Sequence, residues 1–420
     1  FSQSFRFTDF HVRPTCAPTR SALMSGRHEF KNGVTHTIHE RERMALDTFT
    51  LAQLLKTAGY STGIFGKWHL GDEEPYQPHN RGFDEVFIHG AGGIGQTYPG
   101  SCGDAPNNKY FNPAIRHNGT FVKTEGYCTD VFFAQAQKWM KEKAAEKAPF
   151  FAYITPNAPH GPLISPGPQY DKLYEGKEIA GKKMAGGDVA YYSMITNIDE
   201  NIGALLKQLR ETGIEQDTLV IFISDNGGTH TKLFSGGFRA GKGSMYSGGT
   251  HSPSFWRWPA AIEGGVDCPA LTAHIDILPT LAAITGLELS GKLADQVEGR
   301  SLLPLLKNPK AEWPNRTLVT HVGRWNKGQA AKAKHTKSSI RDERFRLVEN
   351  KELYDLQADP GESTNVIEQH PDAVARLRAA YDQWWEEVQP LLVNEDAVGP
   401  KVNPYKELYW KQFGGGPEGE

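Results

Sequence analysis

Apolar positions recur with two periods along the first three-quarters of the chain. In "DTFTLAQLLKTAG", Leu51, Leu54, Leu55 and Ala58 share one helical face, with Asp47 placed to cap that helix and Gly59 to stop it. "YSTGIF" then reads as a strand running into "GKWHLG". The same alternation returns as a helix over about 130–145, the short apolar strand "PFFAYIT", the loop "PNAPHGP", and a helix over about 188–212 ended by Gly213. "TLVIFISDNGG" follows, a continuous apolar run that stops abruptly at polar, glycine-rich residues and predicts the best-buried strand of the chain. "FSQSFRFTDF" reads as a strand entry.

Helix–strand alternation predicts an α/β fold, a mostly parallel or mixed central sheet with helices on both faces. Ligands of such sheets gather beyond the carboxyl ends of the strands. Three predicted strands end in reactive side chains: Lys67 with His69, His160, and Asp225 with Asn226. Beyond about residue 310 the pattern changes. "TLVTHVG", "HTKSSIRDERFRLVEN" and "ELYDLQADPGE" predict antiparallel strands, and "PDAVARLRAAYDQWWEEV" an amphipathic helix. The expected organisation is an α/β domain over 1–309, a smaller C-terminal α+β subdomain over 310–395 and a tail over 396–420, with "GGGPEGE" disordered.

Composition removes several classes of function. A chain of 420 residues is long enough for a substantial core, and 46 basic against 49 acidic residues leave no field that favours nucleic acid or an anionic membrane. No apolar run approaches the ~20 residues of a membrane span. No signal peptide is visible, and a chain opening at Phe1 in mid-pattern reads as one with residues missing upstream.

The chemistry concentrates in "PTCAPTRSALMSGR". A lone cysteine is ordinarily a small buried hydrophobe. Here Pro18 suits the first turn of a helix and Gly26 its end, so Cys16 falls at a helix N-terminus, where free N–H groups and the dipole favour an anion. Arg20, four positions on, returns to the same face. A nucleophile, a cation and a helix dipole at one point suit an oxyanion.

Cys16-Ala17-Pro18-Thr19-Arg20 resembles the sulfatase signature, and "GKWHLG" resembles that family's second signature; "SDNGG" and a downstream lysine loop follow in order. The resemblance covers nearly the whole chain and implies an alkaline-phosphatase-like fold and hydrolysis of a sulfate monoester, aryl or carbohydrate. It implies that a formylglycine-generating enzyme converts Cys16 to formylglycine, whose hydrate attacks sulfur. It further implies that Arg20 holds the hydrate, Lys67 and Lys242 bind sulfate oxygens, His69 assists hydrate collapse, and His160 with Lys242 protonates the leaving oxygen. The lysine loop "RAGKGSMYSGGTHSP" departs from the family pattern. Ser247 stands where glutamate is usual before two glycines, and His251 stands near the usual basic residue before Pro253, which implies an altered support for the loop.

The resemblance places a divalent cation, calcium with magnesium the alternative, on Asp225, Asn226 and the modified Cys16. Calcium takes six or more oxygens. The family's two adjacent aspartates from the first core strand have no match here, so the sequence reads as lacking that strand; Asp9 reads as a surface residue. Two rival readings stay open, a phosphate or phosphonate ester hydrolase of the same superfamily and a metal-deficient glycan-binding relative. Cys102 and Cys128 either pair or remain thiols, and Cys268 is expected to be buried. Tyr98 and Trp325 are candidates to stack on a sugar. Family habit implies a periplasmic or secreted protein.

Overall fold

In the computed structural model, residues 2–229 and 232–416 are described. The chain divides into two compact units, one of Phe1–Thr37 with Asp217–Ala397, the other of Ile38–Gln216 with Val398–Glu420.

The first unit holds two sheets. In one, strand Phe5–His11 lies between Val266–Ala273, parallel to it, and Ser254–Arg257, antiparallel; Val220–Ile223 forms one edge beyond Ser254–Arg257. Phe5, Phe7 and Phe10 are buried, and Phe7 meets Trp256 edge to face with centroids 5.9 Å apart. Helix Cys16–Ser25 follows the first strand and ends at Gly26, whose φ of 69° is the left-handed cap that glycine adopts without a Cβ penalty. The second sheet is an antiparallel meander of Leu318–His321, Ser338–Arg341, Phe345–Val348 and Glu352–Asp355. Helix Pro371–Val388 covers it, burying Leu377, Tyr381, Trp384 and Trp385 against Ile340, Leu347 and Leu353.

The second unit is built on a mixed sheet in the order Thr120–Lys123, Ala114–His117, Glu85–His89, Ser61–Lys67, Phe150–Thr155. Ser61–Lys67 is parallel to both neighbours, so it and Phe150–Thr155 release their loops at the same edge of the sheet. Helix Cys128–Glu146 packs Trp139 on Phe65 and Phe150, and helix Gly186–Glu211 is tied to it through Asn197 and Asn201, both donating to Asp130. No helix among the described residues is long and apolar enough to cross a membrane.

Several details differ from expectation. The helix predicted to be capped by Asp47 spans Leu51–Thr57, and Thr50 caps it in a reciprocal box with Gln53. Val220–Ile223 is an edge strand, not the best-buried one: Phe222 is 39% exposed and its three companions are half-buried. An apolar run reports a strand's preference for burial but not how many neighbours it has, so periodicity could not separate edge from centre. The expected tail contains helix Pro404–Phe413, and most of the disorder expected for "GGGPEGE" falls on 417–420, outside the described residues. Cys102 and Cys128 are buried thiols, and Cys268 is buried in strand Val266–Ala273.

Candidate active site

In the first unit, Cys16 is the first residue of its helix, and Thr15 contributes no side-chain cap. The thiol therefore stands where the unpaired amides and the dipole offer positive potential. Lys242 Nζ donates to Cys16 Sγ across 3.4 Å, and Sγ lies 3.6 Å from Asn226 Oδ1. Arg20 Nε and Nη2 both donate to Asp225 Oδ2, at 3.1 and 2.9 Å. Strand end Val220–Ile223 delivers Asp225 and Asn226, and Ser224 fixes the turn by donating from Oγ to Asn226 O at 2.8 Å. Backbone bonds bring the lysine segment to both loops: Lys242 N donates to Gly228 O and Gly243 N to Pro14 O. Cys16, Arg20, Asp225, Asn226 and Lys242 are thus one connected group.

In the second unit, Lys67 ends strand Ser61–Lys67 and His69 follows it with φ of 64°. Both are buried, Lys67 and His69 each 3% exposed. Gly66, with φ of 120°, sits against the neighbouring strand so closely that a Cβ would lie 2.0 Å from Thr155 O; only glycine fits there. Thr155 Oγ1 donates to Lys67 O at 2.9 Å, closing the two strand ends together. His160 lies in the loop after Phe150–Thr155, its Nδ1 donating to Gly161 O at 2.8 Å. Tyr110 OH donates to His160 O, and Asn157 Nδ2 to Tyr110 OH.

His69 and His160 meet the same dipeptide. A Cβ on Gly92 would lie 3.0 Å from His69 Cε1, and one on Gly93 would lie 2.6 Å from His160 Nδ1. The segment "HGAGGIGQ" is therefore the floor on which both rings rest, a role the sequence reading did not give it. Adjacent glycines after a strand were the available signal.

Two assignments are corrected. Asp9 is not a surface residue: its carboxylate receives Arg341 Nη1 and Nη2 at 2.9 and 2.8 Å, and contacts with His11 and Arg341 hold its pKa far below the usual range against the opposing effect of burial. Trp325 is not a sugar platform: it is 9% exposed, packs on Phe30 and Trp385, and donates from Nε1 to Glu395. Tyr98 is half-buried in the second unit. A cavity of about 560 Å³ in the first unit is lined by Arg13, His28, Lys31, Arg316 and Trp384 among others, but by neither Cys16 nor Lys242. Volume and chemistry do not coincide here.

The donor set for calcium is incomplete. Asp225 and Asn226 offer side-chain oxygens beside residue 16, Asp225 Oδ2 is already engaged by Arg20, and no cluster of three or more acidic, histidine or cysteine ligands exists among the described residues. Six or more oxygens are not at hand.

Both units are α/β sheets that collect their reactive side chains where strands end, the class of fold that binds ligands there. The chain belongs to the sulfatase family: the family model Sulfatase matches residues 2–287, and the model N-sulphoglucosamine sulphohydrolase, C-terminal matches residues 238–386. Human arylsulfatase A is 28% identical over 414 residues, which cover 86% of this chain and 76% of the relative. YdeN of Escherichia coli K12, an uncharacterized sulfatase, is 28% identical over 352 residues, 77% of this chain; the match spans 59% of YdeN's own length. The fold is similar to the crystal structure of Ps i-CgsB in complex with k-i-k-neocarrahexaose, with a TM-score of 0.79, 23% identity, and coverage of 98% of this chain and 90% of that one.

Proposed function

We propose that the protein hydrolyses a sulfate monoester of an aryl or carbohydrate alcohol through a formylglycine made from Cys16. The observation that carries this reading is the placement of Cys16 Sγ at a helix N-terminus within 3.4 Å of Lys242 Nζ, with Arg20 of the same helix paired to Asp225. The thiol stands in for the hydrated aldehyde, –CH(OH)₂. One hydroxyl gives its proton to solvent water and its oxygen attacks sulfur; the bond from sulfur to the alcohol oxygen breaks, and that oxygen takes a proton. His160, carrying a proton on Nε2, and Lys242 are the donors assigned to it. The second hydroxyl then yields its proton to His69, the carbonyl re-forms, and the carbon–oxygen bond to sulfate breaks. Water restores the hydrate. A nucleophile carrying two hydroxyls thus needs no attack of water on sulfur.

Lys67 and Lys242 are assigned to sulfate oxygens, where preorganised cations lower the barrier. Asp225 and Asn226 are assigned to a divalent cation, calcium or magnesium, which would neutralise sulfate charge. Because these residues alone do not complete its shell, no step above is routed through it. The assignment of a formylglycine-generating enzyme as maturation partner, and of a periplasmic or secreted location, rests on family membership.

The test compares turnover of an aryl sulfate and an aryl phosphate by the wild type and Cys16→Ala. Sulfate turnover that exceeds phosphate turnover and vanishes in C16A supports the proposal. Faster phosphate turnover would replace it with a phosphoester hydrolase, and activity unchanged in C16A would remove the nucleophile.

A further inference from the structure

We infer that Glu362 and Arg346, on the C-terminal antiparallel sheet and its following turn, are positioning residues for Lys242, so that this small sheet is part of the sulfate-binding apparatus. The inference rests on the role proposed above for Lys242. Arg346 Nε and Glu362 Oε1 form an ion pair of 2.8 Å in which both side chains are excluded from solvent, at 1% and 0% exposure. The pair has no solvent face and is spent on the lysine loop. Glu362 Oε2 accepts the Ser247 amide at 2.8 Å, while Arg346 Nη1 donates to Met245 O at 2.9 Å and Nη2 to Ser247 Oγ at 3.3 Å. Ser339 Oγ donates to the same Met245 carbonyl at 2.8 Å. A second tether lies alongside: Tyr246 OH donates to Glu352 at 2.6 Å, and Arg239 stacks over the Tyr246 ring while donating to Tyr354 OH and Glu362 O.

The turn that presents Glu362 is itself constrained. Glu362 has φ of 54°, a left-handed conformation that residues with a Cβ rarely take, and Asp359 holds the turn by accepting the amides of Ser363 and Thr364. Residues 239–247 are therefore clamped at three to five positions from Lys242 by groups more than 90 positions away in sequence. A flexible lysine stem is accurate only if its backbone is, and small displacements at a reacting centre have large kinetic effects. The carboxylate that the loop lacks at Ser247 is supplied by Glu362.

The test is a double-mutant cycle between Glu362→Gln and Lys242→Ala, read as kcat and KM for an aryl sulfate. We expect E362Q to lower kcat about tenfold to a hundredfold with a smaller change in KM, and E362Q/K242A to be no slower than K242A alone. Because a buried charge pair is disturbed, Glu352→Gln serves as the second variant. It removes the partly exposed tether to Tyr246 and should give a smaller loss that is likewise non-additive with K242A. Wild-type kcat in both E362Q and E352Q beside an impaired K242A overturns the inference alone, as does full additivity. Wild-type kcat in K242A overturns the assigned role of Lys242 and the inference with it.

Discussion

Lys242 Nζ lies 3.4 Å from Cys16 Sγ although 226 positions separate the two residues. The contact is built from both sides, because Gly243 N is bonded to Pro14 O, two residues before the cysteine. In the role proposed for it, a cation so held would act on charge that develops at residue 16 or on the group attached to it. Removing one such preorganised donor typically costs about 10²–10³ in kcat. Steady-state kinetics of Lys242→Ala should show a loss of that order with the fold intact by circular dichroism, and a loss confined to KM would reassign Lys242 to ground-state binding.

Gly93 tests the glycine floor beneath the histidines. A methyl group there would sit 2.6 Å from His160 Nδ1, so the ring must move. Gly93→Ala should lower kcat by roughly tenfold to a hundredfold while leaving the thermal midpoint nearly unchanged. Wild-type turnover would show that the position of His160 does not matter to the reaction.

Trp325 provides the opposite expectation. Its ring is in the aromatic core of the C-terminal sheet with Phe30, His321 and Trp385. Trp325→Ala should destabilise the protein by about 3–5 kcal/mol in urea titration. KM for a small aryl sulfate should not change at temperatures where the variant is folded. A raised KM without loss of stability would restore the sugar-platform reading.

Glu42 makes stability depend on pH. It is 1% exposed, and burial pushes its pKa up to about 7 against the smaller opposing effect of its own backbone amide. A folded-state pKa above the unfolded value means that the native state binds the proton more tightly. Its contribution is full below about pH 4.5 and is lost as pH rises through about 7. Glu42→Gln removes this dependence. Relative to E42Q, the wild type should lose roughly 2–4 kcal/mol between about pH 5 and about pH 8. Parallel stability curves for the two proteins would mean that Glu42 is ionised at neither pH or at both.

Local chemistry was legible in the sequence where it depends on neighbours along the chain. The helix that begins at Cys16, its glycine stop at Gly26, and the strand ends at Lys67 and Ile223 all follow from short-range rules of capping and periodicity. What escaped was decided by distant partners. Asp9 reads as exposed until Arg341 is brought to it, and Trp325 reads as a loop aromatic until Phe30 and Trp385 enclose it. Thr50 displaced Asp47 as the helix cap because Gln53 completes a reciprocal pair with it. The altered support of the lysine loop was visible at Ser247, but its replacement, Glu362, is 115 positions away and no pattern in the sequence joins them.

The central claim is that residue 16 acts as formylglycine in a sulfate ester hydrolase. The most direct measurement is the mass of the tryptic peptide Phe7–Arg20 from protein that is turning over an aryl sulfate; Arg13 precedes proline, so the peptide should remain whole. The account predicts an aldehyde in place of the thiol at Cys16, in a fraction that rises and falls with specific activity. Fully active protein whose residue 16 is an unmodified thiol would contradict it.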